Sequence, residues 1–185
     1  MVLALAKEIE MRSKSITHHP SPITESIETI YFGGGTPSIL LVEDLRFLID
    51  AVYRNYNVIE NPEITVEANP DDLSEERIIE LSKNKVNRLS IGIQSFFEDD
   101  LKMMNRAHNS EEAKKCLEIA TQFFDNISID LIYGIPEMSN EKWLQNIETA
   151  LSFGVPHISS YALTVEPKTA LHTYIKKGII PQPDD

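Results

Sequence analysis

The sequence predicts an α/β fold, a partial parallel barrel of the (β/α) TIM type. Five β-like runs alternate with helical patterns at a spacing of about 30 residues, and strict alternation of this kind builds a parallel sheet. Most of these runs end in a polar residue: Thr36, Glu67, Gln94, Asp130 and the stretch 159–161. Doubly wound sheets collect ligand residues at one switch point, whereas barrels collect them from most strands. Five contributing strands therefore favour a barrel.

Each element has its own signal in the chain. Helical patterns place apolar residues three or four apart on one face, and β runs are rich in β-branched residues and end at glycine, proline or asparagine. Ser74 and Ser110 are predicted to open their helices, and Asn140 is predicted to cap the helix that follows it. Helices are predicted at 2–11, 42–56, 74–84, 98–104, 110–124, 140–153 and 171–176, and strands at 28–32, 63–68, 87–95, 126–134 and 157–163.

The composition is that of one globular domain, residues 1–185, and it excludes several classes of protein. The chain is 42% hydrophobic and 25% charged, with a formal net charge of −12. This acidity argues against nucleic acid as a main partner, because phosphate contacts need clustered lysine and arginine. No apolar run is long enough to span a membrane. A single cysteine excludes an internal disulfide framework and indicates a reducing, cytoplasmic compartment.

Three consecutive glycines end the first β run and predict a ligand-binding loop. Gly33, Gly34 and Gly35 remove every Cβ where the backbone must turn sharply and approach another group closely. Thr36 and Pro37 follow, ahead of a helix. One glycine alone would indicate a flexible turn. The paired His18 and His19, by contrast, are interpreted as a solvated loop, because adjacent loop side chains seldom converge on one metal ion.

Two carboxylates stand inside apolar β runs and need partners. Glu67 follows Val66, and Asp130 lies between two apolar residues. Burying either charge without a partner costs several kcal/mol. Each is expected to have a cationic or hydrogen-bonding partner, in the protein or in a ligand, and Arg88 is the structural alternative for Glu67.

The polar residues together suggest one ligand. Taken singly, Gln94 is compatible with a plain strand-end amide and Arg106 with a solvated loop arginine. As a set, the glycine loop, Glu67 and Arg106 suit a zwitterionic amino acid. Gln94 and Asp130 suit the two hydroxyls of a ribose. An amino acid joined to a nucleoside is S-adenosylmethionine, an inference that rests on residue types and not on spacing.

Six segments, in order along nearly the whole chain, resemble the radical S-adenosylmethionine proteins of the HemN/HemW type. These are oxygen-independent coproporphyrinogen III oxidases and their haem-chaperone relatives, and the last segment resembles the HemW branch more closely. The segments are Tyr-Phe-Gly-Gly-Gly-Thr-Pro-Ser (31–38), Glu-Ala-Asn-Pro (67–70), Ser-Ile-Gly-Ile-Gln-Ser-Phe (90–96), Asn-Arg-Ala-His (105–108), Asp-Leu-Ile-Tyr-Gly-Ile-Pro (130–136) and Tyr-Ala-Leu-Thr-Val-Glu-Pro (161–167).

The resemblance implies a role for each site residue. The loop of Gly33, Gly34, Gly35 and Thr36 is expected to hold the methionine amino group. Glu67 and Arg106 are expected to hold the methionyl end, Gln94 and Asp130 the ribose, and the backbone near Ala162 the adenine.

The chain departs from the family pattern in its cysteines. The family binds a [4Fe–4S] cluster on a Cys-x3-Cys-x2-Cys loop after the first strand, whereas this chain has only Cys116. One thiolate cannot hold a cluster, and Cys116 is expected to be a core residue. We therefore expect the first strand and the cluster loop to precede Met1, so that the chain supplies strands two to six. As given, it is expected to be inactive and to self-associate through its unpaired strand edge.

The resemblance implies an activity for the intact protein. The leading hypothesis is oxidative decarboxylation of coproporphyrinogen propionates to vinyl groups through a 5′-deoxyadenosyl radical. The alternatives are a HemW-type haem chaperone and a non-catalytic S-adenosylmethionine-binding module, so the expected partner is a porphyrinogen or haem. A sugar-phosphate barrel enzyme is disfavoured, because no lysine or arginine adjoins the glycine loop.

Overall fold

The protein is a curled half-barrel of five parallel strands, as the sequence predicts. The computed structural model describes residues 1–16 and 26–182, so the interpretation of His18 and His19 lies outside the described residues. The strands lie in chain order: β1 (Ile27–Phe32), β2 (Val58–Ala68), β3 (Arg88–Gln94), β4 (Ile127–Tyr133) and β5 (His157–Ala162). The helices are α1 (Val2–Ile16), α2 (Val42–Asn55), α3 (Glu75–Ser82), α4 (Glu98–Met103), α5 (Ser110–Phe123), α6 (Asn140–Ser152) and α7 (Ala170–Lys176).

The two faces of the sheet differ in polarity because side chains alternate along each strand. The outer face is apolar and is covered by helices. Val66, Ile91 and Ile129 on this face are fully buried, and they share one core cluster with Leu45 of α2 and Leu117 of α5. The inner face carries polar residues at matching levels of the register: Thr65 and Glu67 on β2, Ser90 and Gln94 on β3, Ser128 and Asp130 on β4, and Ser159 on β5.

Cys116 belongs to this core, as expected. It lies in α5, it is 3% exposed, and burial raises the pKa of its thiol to about 12. A thiol of this kind stays protonated and behaves as a small apolar residue.

The start predicted for α5 at Ser110 is confirmed, whereas the cap predicted for α6 at Asn140 is wrong by one residue. α5 begins at Ser110, but the capping side chain is that of Asn109, which accepts from the Glu112 backbone N–H in a reciprocal capping box. α6 begins at Asn140, and its cap is Ser139. In each case the cap is the residue before the first helical one, because only extended backbone turns the side-chain oxygen towards the N–H groups. Ser74 caps α3 as predicted.

β2 is longer than predicted and contains a proline. The prediction starts the strand after Pro62, whereas the structure starts it at Val58. Pairing with β1 is irregular between Ile27 and Thr29. Pro62, which lacks an N–H, is tolerated beside that irregularity.

Among residues 1–16 and 26–182 no helix combines the length and the apolar character needed to cross a bilayer.

Candidate cofactor-binding site

A polar cavity of about 160 Å³ lies at the carboxyl ends of the central strands. Its walls come from the glycine loop and from β2, β3 and β4. The lining residues are Gly35, Thr36, Pro37, Glu67, Ala68, Asn69, Ser90, Gly92, Gln94 and Asp130. Parallel barrels keep their ligands at this end of the sheet.

The three glycines of the loop serve different purposes. Gly34 and Gly35 have φ angles of +77° and +138°, which residues with a side chain rarely adopt, and neither has a neighbour crowding its Cβ position. Gly33 is crowded instead. A Cβ there would lie 2.7 Å from Cε1 of Tyr31 and 2.8 Å from Oε1 of Glu67. Gly33 is therefore required for space, and the other two for conformation.

The backbone after the loop is fixed from α3 and from the end of β2. The Ser38 hydroxyl donates to Oδ2 of Asp72 at 2.9 Å. The Arg77 guanidinium donates to the backbone oxygens of Ser38, at 3.2 Å, and of Leu40. The sequence shows Arg77 only as part of a helix start, so this anchoring role is not visible from pattern.

Glu67 is held by neutral donors. Its Oε1 accepts from the Tyr31 hydroxyl at 2.7 Å, and its Oε2 accepts from the Gly34 backbone N–H at 3.2 Å. Arg88, the structural alternative, pairs with Glu63 instead, at 3.9 Å between Nε and Oε2. That alternative is wrong, because within the described residues no cationic side chain lies at ion-pair distance from Glu67.

Gln94 stands in a strained position at the end of β3. Its φ is +67°, and β3 has one extra residue between Ile91 and Gln94 relative to β4. This bulge leaves the carbonyl oxygen of Ile93 free to accept from the Ser95 N–H, at 2.8 Å, and from Nε2–H of the buried His108, at 3.1 Å. Bulges of this kind redirect side chains beside functional sites.

A buried polar network holds the bulge in place. The Ser95 hydroxyl donates to Oδ2 of Asp100 at 2.7 Å, and the Phe96 N–H donates to Oδ1 of Asn146 at 2.7 Å. Lys142 of α6 pairs with Asp100, which is only 2% exposed. The end of β3 is thus tied to both α4 and α6.

Arg106 is placed by the end of α4. Asn105 has a φ of +54°, and its N–H donates to Lys102 O at 3.0 Å, while the Arg106 N–H donates to Leu101 O at 2.9 Å. These two bonds form a Schellman motif. Nη2 of Arg106 lies 3.4 Å from where a Cβ of Gly92 would be, so the guanidinium borders the cavity.

The Arg106 side chain lacks an ion-pair partner in the part of the chain that the structure describes. Burial lowers its pKa, and the charges of Asp71 and Asp130 oppose that shift without reaching contact distance. The interpretation as a solvated loop arginine does not fit a half-buried guanidinium.

Asp130 projects from β4 beside Ser159 of β5. Burial is the main cause that raises the pKa of its carboxyl, and the negative charge of Glu67 adds to the shift. A hydrogen bond from Ser159 opposes it. Two carboxylates facing one cavity favour a ligand that brings positive charge or hydroxyl donors.

The structure brings most of the predicted site residues together. Gly35, Thr36, Glu67, Gln94 and Asp130 line the cavity, and Arg106 reaches it at Gly92. Gly33 and Gly34 instead line an adjoining apolar groove of about 760 Å³ between α1 and β1. Ala162 is exposed at the end of β5, paired with Tyr133, and is not among the residues lining the cavity.

Asn69, Ser90 and Gly92 line the cavity but are missed as site residues. Every second residue of a strand lies on the same face, so counting in steps of two from Glu67 and Gln94 would have found all three. Tyr31 is also missed, because an aromatic residue in a β run ordinarily indicates packing.

Comparison with known proteins identifies the family. A model of the radical SAM superfamily, SAM being S-adenosylmethionine, matches residues 23–150. The chain belongs to this superfamily. The cofactors of this superfamily are SAM and a [4Fe–4S] cluster.

Two curated relatives carry the same name. The chain is 41% identical over 154 residues to the heme chaperone HemW of Bacillus subtilis, covering 82% of this chain and 41% of the relative. It is 38% identical over 144 residues to HemW of Escherichia coli, covering 77% of this chain and 38% of the relative. The chain thus spans about two fifths of the length of these relatives.

A solved structure supports the same family. The coproporphyrinogen III oxidase HemN of Escherichia coli, a radical SAM enzyme, superimposes with a TM-score of 0.80 at 25% identity. The match covers 97% of this chain and 41% of HemN.

The described residues do not fit the iron–sulfur cluster. Within residues 1–16 and 26–182 no group of three or more His, Cys, Asp or Glu side chains could hold a metal ion. The single thiol, that of Cys116, is buried in the core on α5.

We predict that Asp130→Asn stabilises the chain at neutral pH. Asp130 binds its proton more tightly in the native state than in the unfolded chain. The native state therefore carries more protons between the ordinary pKa of about 3.8 and the higher folded value, and the free energy of unfolding falls as pH rises through that window. The amide side chain of the variant does not ionise, so the variant does not lose stability in this way. Urea unfolding at pH 7 should therefore give a higher free energy of unfolding for Asp130→Asn than for wild type.

The matched control is Asp125→Asn, the same change at an exposed position just before β4. It should leave stability unchanged. A variant at Asp130 that is less stable than wild type at pH 7 would contradict the prediction.

Proposed function

We propose that the cavity binds SAM through the side chains that border it. The observation that carries the proposal is the half-buried guanidinium of Arg106, which has no ion-pair partner among the described residues and borders a cavity that also contains Glu67. A zwitterionic amino acid supplies the two missing charges, a carboxylate for Arg106 and an ammonium for Glu67. A simple phosphate would satisfy only the arginine and would meet two carboxylates.

The remaining residues are assigned to the rest of the ligand. Gln94 and Asp130 hold the ribose hydroxyls, with the Asp130 carboxylate as acceptor. The backbone of the loop, Gly33 to Thr36, surrounds the amino group. The backbone near Ala162 holds the adenine, outside the small cavity. Bound there, the cofactor would supply a 5′-deoxyadenosyl radical to the whole protein, and the residues named above would orient it.

We further propose that the whole protein carrying this chain acts in haem metabolism as a HemW-type haem chaperone. The curated relatives of that name support this branch. The second candidate is oxygen-independent coproporphyrinogen III oxidase activity, which the likeness to HemN supports. Residues 1–185 would then be one domain of that protein, the SAM-binding barrel. This domain would be inactive by itself because it lacks the ligands of the cluster. A reducing, cytoplasmic compartment suits the single cysteine of residues 1–185.

One experiment separates these two functions. The whole protein, with its cluster reconstituted without oxygen, is mixed with haem and separately with coproporphyrinogen III, SAM and a reductant. We expect stable haem binding, seen in the visible absorption spectrum, and no vinyl product by mass spectrometry. Decarboxylated product without retained haem would favour the oxidase function.

We predict that Arg106→Gln weakens SAM binding by this chain about 10- to 100-fold, the loss expected for one charge-assisted hydrogen-bonded pair. Arg106→Lys should lose less affinity, because it keeps the charge but not the bidentate geometry. Binding is measured by titration calorimetry.

The control is Arg46→Gln, at an exposed arginine on α2, which should bind SAM as wild type does. Tighter binding of inorganic phosphate than of SAM by the wild-type chain would overturn the proposal.

We also propose that this chain self-associates through the edge of β1 that no other described strand pairs with. That strand is the end of the sheet, and the adjoining groove is apolar, with Ile39 70% exposed. Exposed strand edges beside apolar surface pair with one another. Sedimentation velocity should show concentration-dependent dimers, which Ile39→Lys disrupts. The same change at the exposed Leu144 of α6 should not disrupt them, and a wild-type chain that stays monomeric at all concentrations would overturn the proposal.

A further inference from the structure

Tyr31 is an aromatic residue of β1 that is joined to the proposed site through Glu67. It stands on β1 opposite Thr65 of β2, so its side chain lies on the inner face of the sheet. Its ring passes over the Cα of Gly33, where a Cβ would come within 2.7 Å of Cε1. Beyond Gly33 the hydroxyl reaches Oε1 of Glu67 at 2.7 Å.

The hydroxyl acts together with the glycine loop on one carboxylate. Tyr31 occupies one lone pair of Oε1, and the Gly34 N–H occupies one of Oε2 at 3.2 Å. A carboxylate offers about four acceptor positions, so each Glu67 oxygen keeps one position free. With both oxygens held from the loop side, the carboxylate has a fixed orientation.

The chemical type of the donor matters as much as its position. A phenol and an amide are neutral, so they orient the carboxylate without cancelling its charge. A lysine or arginine in the place of Tyr31 would pair with Glu67 and compete with a cation of the ligand. The Glu67 carboxylate is therefore oriented by neutral donors and has no ion-pair partner within the described residues.

We propose that Tyr31 is a positioning residue that makes the site select ligands with a free α-ammonium group. The inference rests on the proposed function and deepens it, because it names the ligand class that the Glu67 end accepts: an adenosyl sulfonium amino acid, and not its deaminated analogues. Tyr31 acts through Glu67 and does not itself contact the ligand.

The test compares two ligands on two chains. Tyr31→Phe keeps the ring over Gly33 and removes only the hydroxyl, so the strand packing is preserved. Wild type and variant are titrated with SAM and with the analogue that carries a carbonyl group in place of the α-amino group. Tyr174→Phe, at an exposed tyrosine on α7, is the matched control.

We expect Tyr31→Phe to weaken SAM binding about tenfold, the usual effect of losing one hydrogen bond to a charged group. The affinity of the variant for the deaminated analogue should stay within about twofold of wild type, because that ligand lacks the α-ammonium group that the Glu67 carboxylate is proposed to bind. In a Glu67→Gln background the hydroxyl should no longer matter, so the two changes should be strongly non-additive.

Other outcomes overturn the inference. A Tyr31→Phe chain that binds SAM as tightly as wild type, or that loses affinity equally for both ligands, assigns the hydroxyl a purely structural role. If the wild-type chain binds neither ligand, the proposed function fails first, and this inference fails with it. Circular dichroism melting of each variant separates a loss of fold from a loss of selectivity.

Discussion

Side chains of a strand alternate between two faces, and this constraint governs the whole molecule. Helices cover the outer face, and most of the apolar strand residues point there and share one core. The polar residues are left with the inner face, where parallel register brings Glu67, Ser90, Ser128 and Ser159 to neighbouring levels. The ligand cavity is the polar half of that same alternation, and a shift of one residue in any strand would move a site residue into the core.

The strained parts of the site are supported from outside it. Gln94 adopts a left-handed conformation at a bulge, and such geometry persists only where neighbouring groups impose it. His108 and the network of Ser95, Asp100 and Asn146 supply that support from α4, α6 and the loop before α5. Arg106 depends similarly on the turn at Asn105, which directs the guanidinium back towards β3.

The order of the elements and most of the cavity could be predicted from the sequence, because periodicity and the residues at strand ends are local signals. Glu67, Gln94 and Asp130 each stand inside or at the end of an apolar run, so their convergence followed from a parallel sheet. The Tyr31–Glu67 bond could not be predicted, because it joins residues 36 positions apart through space left by Gly33. The predicted pairing of Arg88 with Glu67 was wrong for a related reason. Two acids, Glu63 and Glu67, lie on the same face of β2, and only the register decides which of them Arg88 meets.

The proposed function links folding to the supply of the ligand through Arg106 and Asp130. Among the described residues the first is desolvated without an ion-pair partner, and the second is a half-buried acid facing another acid. Both arrangements weaken the native state, and a ligand that completes them binds only the native state and stabilises it by mass action. The fraction of folded chain, and with it resistance to proteases in the cell, therefore rises with the concentration of the ligand.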